Sequence, residues 1–424
     1  MFKGYTILKE QKVKYQGYLK EIKPSFKMVF PLATNQSIKS VCTVKLNDKV
    51  KIGSLLGYCD GDVYVPIYSS VSGTVVGFET LEYCTNQYVR HVVVENDFKD
   101  EKQKLFAPFD FNELDREELI EKARISGLVG LSGAGFALYG KYLSNSIDTL
   151  IINGIECEGY LSSDYANVLE NVADLLDGTL ILQKMSNADR VVIALKETLK
   201  DQVELVKDKI NVDKKYSHIE VYESVDNYPA GWEKVLTNRI AGRDFDVYTT
   251  ECGVIVNNVS TTIAINKIFN TGLPLIEKIV TVGGDGIAEG KIFRVRIGTM
   301  VSELVKDLIK YDLNEVDILC GGSLMGAKMK NADFPIASPY NGITILKRKH
   351  KTEKPCQDNC TICNDGCYLK LDVLKLLNLC RDNNLQKAQE YNVLQCIECG
   401  ICTYECPSDI DIREYIRKVK VQLL

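Results

Sequence analysis

Two groups of cysteines near the end of the chain carry the most specific chemistry in this sequence. Cys396, Cys399, Cys402 and Cys406 stand in CIECGICTYECP, spaced C-x2-C-x2-C-x3-C-P. Three thiolates two residues apart wrap one corner of an iron–sulfur cube. A fourth, followed by Pro407, reaches to a neighbouring cluster. Zinc is the alternative ligand, but zinc ribbons use two C-x2-C pairs with a longer loop between them. An earlier quartet, Cys356, Cys360, Cys363 and Cys367 in CQDNCTICNDGC, is an irregular copy spaced C-x3-C-x2-C-x3-C, with Tyr368 in place of the proline. It predicts a second [4Fe–4S] cluster, with a three-iron cluster or a shifted ligand as the other reading. With the usual crossing, one cluster takes Cys356, Cys360, Cys363 and Cys406, and the other takes Cys396, Cys399, Cys402 and Cys367.

A second centre of chemistry lies upstream. GLVGLSGAGFALYGKYL places glycines at 127, 130, 133 and 135. Such a run lets backbone N–H groups face an anionic ligand at close range, with a helix start behind it to favour phosphate. The preceding DREELIEKARIS reads as a helix with acidic residues first and basic ones later. That departs from the strand–loop–helix order of the common dinucleotide fingerprint, and a flexible turn between helices is the plain alternative. TLIINGIECEGYLSSDY then begins as an apolar strand and ends in Asn153, Glu156 and Glu158. VIVNNVST is another apolar strand, ending in Asn257 and Asn258. Polar groups at the ends of buried strands are where open α/β sheets bind ligands. Any one of them is also a plausible loop cap.

The elements that must position these groups follow from the pattern of the chain. Leu371, Leu374, Leu376, Leu377 and Leu379 form a helical stripe broken at Asn383 and Asn384, so the tail at 350–424 reads as a helical two-cluster ferredoxin module. Residues 115–275 alternate strand and helix patterns as an α/β core, with VADLLDGTLILQKM as helix and RVVIALK as strand. Residues 276–346 alternate as strands around one short helix near VSELVKDLIK. Residues 31–97 are β-rich, with Asn-Asp and Gly turns between short strands. NDFKDEKQKLFAPFDFNELD and KRKHKTEK are charged linkers, and residues 1–30 read as an extension without a clear period.

Composition narrows the class. The 424 residues carry a formal net charge of −5, 45% hydrophobic and 26% charged residues. This is a globular balance and gives no basic footprint for nucleic acid. No apolar run approaches a membrane helix, and the polar start lacks a signal-peptide core. The expectation is a cytoplasmic protein, or one peripheral at the inner face of a membrane. Of the 15 cysteines, eight form the tail quartets. Cys380, Cys59, Cys84, Cys157, Cys252 and Cys320 read as small buried hydrophobes.

Taken in order, these strings resemble the RnfC family of electron-transfer proteins, with the flavin- and NADH-binding subunit of respiratory complex I as a more distant relative. The matching segments are GLVGLSGAGF with Lys141 beyond it, NGIECEG, YPAGWEKVLTNRIAGR, VNNVST, RVRIGTMVSEL, CGGSLMG and CIECGICTYECPS, and the likeness runs from about residue 31 onward. VKLNDKVKIGSLLG and SSVSGTVVGFE look like the halves of a lipoyl-like barrel-sandwich module. RVRIGTMVSEL and CGGSLMG look like the family's SLBB β-grasp domain.

The resemblance implies hydride transfer from NADH to FMN, then single electrons through two [4Fe–4S] clusters. It implies that Gly130, Gly133, Gly135 and Lys141 hold the flavin, that Asn153, Asn257 and Asn258 border it, and that Glu156, Glu158 and Phe136 face the nicotinamide nucleotide. Phe136 and Lys141 are equally ordinary as a core aromatic and a surface cation.

The chain departs from membrane-complex members of the family. It lacks their Gly-Gly-Ile-His-Pro stretch, and Ser37 replaces the histidine after Gln36. Cys42 is similar to a cysteine or selenocysteine position in the PrdC-like branch associated with D-proline reductase. That likeness implies D-proline reductase as partner, with Cys42 as a redox thiol or a buried structural cysteine. An Rnf-type complex is the other partner reading, and an iron–sulfur adaptor without NADH oxidation or a structural zinc protein are the rival functions. Cobalamin reductases that share YPAG carry the N-terminal module last, unlike this chain.

Overall fold

The computed structural model describes residues 11–61, 63–348 and 352–423. The N-terminal strands are β1 (Lys20–Glu21), β2 (Lys27–Pro31), β3 (Ser40–Cys42), β4 (Lys49–Val50), β5 (Leu55–Asp60), β6 (Tyr64–Tyr68), β7 (Gly73–Glu82) and β8 (Tyr88–Asn96). Two small antiparallel sheets result, ordered β2-β8-β7-β4 and β3-β5-β6. They enclose Met28, Phe30, Leu32, Val50, Leu56, Val71, Val75, Val92 and Val94. Period-two alternation of β-branched residues sends one face of each strand into that core.

The segment read as an unpatterned extension is used differently. Residues 1–10 lie outside the described residues. From residue 11 on, Val13 is buried, β1 adds parallel to the edge of a later sheet, and β2 is already part of the β-module. Two residues of strand are too few to show a period.

The central unit contains α1 (Arg116–Ser126), α2 (Leu138–Lys141), β9 (Thr149–Asn153), α3 (Ser163–Glu170), α4 (Val172–Ser186), β10 (Arg190–Lys196), α5 (Lys200–Val212), β11 (Ile219–Ser224), α6 (Glu233–Ala241), β12 (Val254–Asn258) and α7 (Val259–Thr271). Its four strands are all parallel, in the order β11-β10-β9-β12. β9, β10 and β12 are nearly continuous apolar runs, as a sheet covered on both faces requires. From β9 the chain winds outward through β10 and β11, then returns to the other side of β9 as β12. The C-terminal ends of β9 and β12 therefore flank a topological switch point, where such sheets open a crevice.

A third unit, β13 (Glu277–Gly283), β14 (Lys291–Arg296), α8 (Val301–Val305), β15 (Val316–Cys320), β16 (Ala327–Met329) and β17 (Gly342–Lys347), forms a mixed sheet with β1, ordered β1-β14-β13-β17-β15-β16. The tail is helical: α9 (Ile362–Asp365), α10 (Val373–Arg381), α11 (Leu385–Glu390), α12 (Ile401–Tyr404) and α13 (Ile412–Leu423). Leu374, Leu376, Leu377 and Leu379 of the leucine stripe lie on α10, Leu371 falls just before it, and Asn383, at φ +51°, separates α10 from α11. Among the described residues no helix is long and apolar enough to cross a membrane.

Candidate functional site: a glycine-loop crevice joined to a cysteine tail

The switch point sets the site. β9 and β12 run side by side in a register that pairs Asn153 with Asn258 and Ile152 with Asn257. The two candidate asparagines at the strand ends are thus neighbours. Asn258 caps α7, its Oδ1 accepting from the Ser260 N–H at 2.8 Å, and its amide donates to Asp164 Oδ2 at 2.6 Å. Asn257 donates to the Tyr142 hydroxyl. Asn153 donates to the Gly231 carbonyl at 2.7 Å and accepts from the Ile155 N–H at 2.9 Å.

The glycine loop hangs over these ends. A capping box between Asp115 and Glu118 starts α1, and Gly127 in the left-handed region stops it. A bridge between Val129 and Ala137 then pinches the loop, with the Gly130 N–H on the Phe136 carbonyl at 2.8 Å. The Leu131 N–H donates to Thr261 Oγ1 at 3.0 Å, fastening the loop to α7. Gly133, at φ +118°, has no atom within 4 Å of where a Cβ would stand, so that side of the loop has room for a ligand, while its N–H donates to the Pro339 carbonyl at 2.6 Å. Gly135, at φ +63°, is backed by Asn35 and Pro339 at about 3 Å from that position. The N-terminal module braces the apex: Asn35 donates to the Gly133 carbonyl at 2.5 Å and Gln36 to the Ala134 carbonyl at 2.8 Å.

Lys141, at the end of α2, donates to the Val256 carbonyl at 2.8 Å and to Glu233 at 2.7 Å. Phe136 is half-buried, with its ring 6.2 Å from that of Tyr248. The open side of Gly133 leaves room for a ligand beside the loop, while Lys141 and the strand-end amides donate within the protein and hold the walls around it.

Glu156 and Glu158 flank Cys157 beyond β9, and both carboxylates have internal partners. Glu156 accepts from the Ser163 hydroxyl at 2.8 Å and from the Ser163 and Asp164 N–H groups at 3.2 Å, at the start of α3. Glu158 accepts from the Leu324 and Met325 N–H groups at 3.0 and 2.9 Å, gripping the GGSLMG loop. Burial raises the Glu158 carboxyl against these bonds, and burial and Glu156 together raise Asp164. Lys12 crosses above, its ammonium on the carbonyls of Glu156 and Glu158 at 2.7 and 2.5 Å. Burial of the ammonium and the charge of Lys196 lower it to about 8.

The cysteine tail docks directly on this string. The Tyr228 hydroxyl donates to the Cys399 carbonyl at 2.7 Å, and Tyr228, Leu324 and Ile401 pack together with Cys157 and Cys399 alongside. Arg413 donates to the Leu324 carbonyl. Within the tail, Cys402 and Cys399 are raised first by burial and then by neighbouring thiols, Cys396 and Cys367 among them for both. Cys399 reaches about 12. Cys363 instead feels Cys360 and Cys356. Ser408, just past Cys406, donates to the Pro355 carbonyl at 2.9 Å, one residue before Cys356.

Thiols that oppose one another's ionisation suit a cationic iron–sulfur core, which supplies the missing positive charge. Among the described residues no three His, Cys, Asp or Glu side chains are gathered as around a single ion. In a four-iron cube each thiolate binds a different iron.

Cys42 stands apart, half-buried on β3 against the N-terminal core, its thiol on the Val44 carbonyl at 3.4 Å. Sequence reasoning missed Asn35, Gln36, Lys12, Asp164 and Thr261. Tyr228 stands in YPAG, a string that carries no sign of its contact with the tail. A buried aspartate one residue into a helix that follows a strand-end carboxylate was the one available signal among them.

Known proteins share these features. Residues 1–99 match the family model for the RnfC barrel sandwich hybrid domain, and residues 123–267 match that for the Nuo51 FMN-binding domain. The C component of the proton-translocating ferredoxin:NAD(+) oxidoreductase complex of Clostridium ljungdahlii is 32% identical over 404 residues, covering 93% of this chain and 87% of that one. The C component of the Na(+)-translocating ferredoxin:NAD(+) oxidoreductase complex of Acetobacterium woodii is 28% identical over 376 residues, covering 87% and 84%. The crystal structure of an NAD+-reducing [NiFe]-hydrogenase in the H2-reduced state aligns with a TM-score of 0.50 at 17% identity. The alignment covers 73% of this chain but 63% of that one, and shows a shared fold. The chain therefore carries an FMN-binding oxidoreductase core behind a barrel-sandwich module, and it belongs to the RnfC family.

Proposed function

We propose that the chain passes electrons between NAD(H) and a one-electron partner, with FMN in the glycine-loop crevice and two [4Fe–4S] clusters in the tail. One observation carries this reading. Asn153 at the crevice and Cys399 in the tail are both held by the turn at 228–231, through Gly231 and Tyr228 respectively. The two chemistries are built against each other.

FMN, when bound, converts a two-electron hydride into single-electron steps. The residues do the positioning. Gly130, Gly133, Gly135 and Lys141 would hold the phosphate side, while Asn153, Asn257 and Asn258 shape the floor. Phe136 borders the face on which NAD(H) would lie. Glu156 and Glu158 act there through the backbone they fix. Cys367, Cys396, Cys399 and Cys402 would hold the cluster nearer the crevice, and Cys356, Cys360, Cys363 and Cys406 the outer one. The neighbourhood of Cys367 with the second motif, and of Ser408 with Pro355, supports this crossing. By this reading the units are 31–97 barrel-sandwich, 115–275 flavin core, 276–346 SLBB β-grasp and 350–424 dicluster module.

The partner proposed from Cys42 and the missing histidine is D-proline reductase, as in the PrdC-like branch. The relatives from ion-translocating complexes favour a second partner, an Rnf-type complex at the inner face of a membrane. Adding NADH and purified D-proline reductase decides between them: faster D-proline reduction supports the first, and no acceleration by a flavin-loaded chain removes it. Anaerobic protein holding about eight irons and one FMN supports the cofactor assignment. Iron without flavin would leave an adaptor, and zinc without iron a structural role.

A further inference from the structure

The turn at 83–87 that joins β7 to β8 is closed by the Tyr83 N–H on the Gln87 carbonyl and the Asn86 N–H on the Tyr83 carbonyl, both at 2.8 Å. It does not end in solvent. Asn86 donates to the Lys328 carbonyl at 2.8 Å, and the Lys330 N–H donates to Glu82 at 2.9 Å, so the turn is docked on and just beyond β16. Lys328 and Ala327 of β16 pair with Leu319 and Cys320 of β15, so this docking packs Cys84 against the apolar cluster that holds Cys320, the last residue of β15. They are 236 positions apart in the chain and belong to different units.

Their surroundings divide the two thiols, because burial pushes Cys320 well above the usual thiol range. Cys320 is buried, whereas Cys84 is partly exposed and is the one a reagent reaches. The buried Lys278 amine, held by the carbonyls of Ser338 and Tyr340, neighbours both thiols, and burial lowers it to about 7, so that it can take up a thiol proton. Cys84 also donates to Asn35 Oδ1 at 3.1 Å, and the same Asn35 side chain holds the Gly133 carbonyl of the glycine loop.

We infer that Cys84 and Cys320 form a redox clasp between the N-terminal module and the six-stranded sheet, closed by a low-molecular-weight disulfide and sensed at the glycine loop through Asn35. Cys84 loses its proton to solvent and attacks the small disulfide, breaking its S–S bond and releasing one small thiol. Cys320 then loses its proton and attacks Cys84 Sγ, expelling the second small thiol. Two protein thiols are oxidised and one small disulfide is reduced to two thiols. Closure takes away the S–H that Cys84 offers Asn35, which loosens one brace of the loop.

The test treats the anaerobic, cofactor-loaded full chain with hydroxyethyl disulfide and maps non-reduced peptides. The clasp predicts a linked Cys84–Cys320 peptide and two mercaptoethanols released for each link. Cys320→Ser would trap mercaptoethanol on Cys84, and Cys84→Ser would leave Cys320 unmodified, with thermal midpoints confirming that both variants fold. A wild-type chain carrying mercaptoethanol on Cys84 without the link overturns the clasp. So does a Cys84 that stays unmodified while Cys42 reacts. The loop coupling rests on the flavin reading. It predicts FMN release at least about threefold faster from the linked chain than from treated Cys84→Ser, and equal rates overturn it. A chain that never binds FMN fails in that reading, while the peptide map still decides the clasp.

Discussion

The Tyr228 hydroxyl and the Cys399 carbonyl are 2.7 Å apart, and this bond joins the crevice wall to the cysteine tail. Tyr228 is almost wholly buried, so the bond is shielded from water. Tyr228→Phe keeps the ring and removes the donor, which should cost about 1 kcal/mol in urea unfolding. It should also shift the potential of the cluster held by the second cysteine motif while leaving FMN content unchanged. Redox titration followed by electron paramagnetic resonance checks this, and an unmoved potential would confine Tyr228 to packing.

Glu158 holds two backbone N–H groups of the loop between β15 and β16. Glu158→Ala leaves both without that acceptor and should destabilise the chain by about 2–3 kcal/mol. NAD(H) affinity should fall with it, because the loop and the 156–158 string lose their common anchor. Glu158→Gln keeps one acceptor and should fall between wild type and Ala in both urea midpoint and affinity.

Asn35 reaches the glycine loop from a different unit. Asn35→Ala should weaken FMN binding about tenfold, the equivalent of one well-formed hydrogen bond, with little change in the melting temperature of the β-module. Equilibrium dialysis of FMN against the variant measures it. Retained affinity would mean the loop holds its shape without the brace.

His91 supplies a pH dependence. It is fully buried on β8, its Nδ1 on the Val89 carbonyl at 2.9 Å, and burial lowers it to about 4. A neutral folded-state imidazole and an unfolded one near 6.5 mean that the unfolded chain binds the extra proton first. The stability this group contributes is present above pH 6.5 and is lost as pH falls towards 4. Between pH 6.5 and 5 the loss should be about 2 kcal/mol. His91→Gln should flatten that part of the stability profile, read from urea midpoints at the two pH values.

Much of the scaffold was legible because it is periodic. RVVIALK coincides with β10, VADLLDGTLILQKM falls within α4, and four of the five stripe leucines lie on α10. The strand ends were legible too, since Asn153, Asn257 and Asn258 close apolar runs that pair side by side. What was not legible depends on contacts distant along the chain. Asn35 meets Gly133, Lys12 meets Glu156 and Glu158, and Cys84 meets Cys320 only after three units have docked. The carboxylates Glu156 and Glu158 stood out by type and place, yet a strand-end acid looks the same in sequence whether it faces a ligand or a neighbouring loop.

The central claim is that paired electrons from a nicotinamide enter at the crevice and leave one at a time through the tail. Rapid mixing of anaerobic chain with NADH, followed by absorbance, tests it most directly. The account predicts loss of the flavin band and bleaching of the broad iron–sulfur absorbance near about 400 nm, with the second absent when Cys399 is replaced by serine. Cluster bleaching by NADH in a chain stripped of FMN, or an unchanged spectrum in the complete chain, would contradict it.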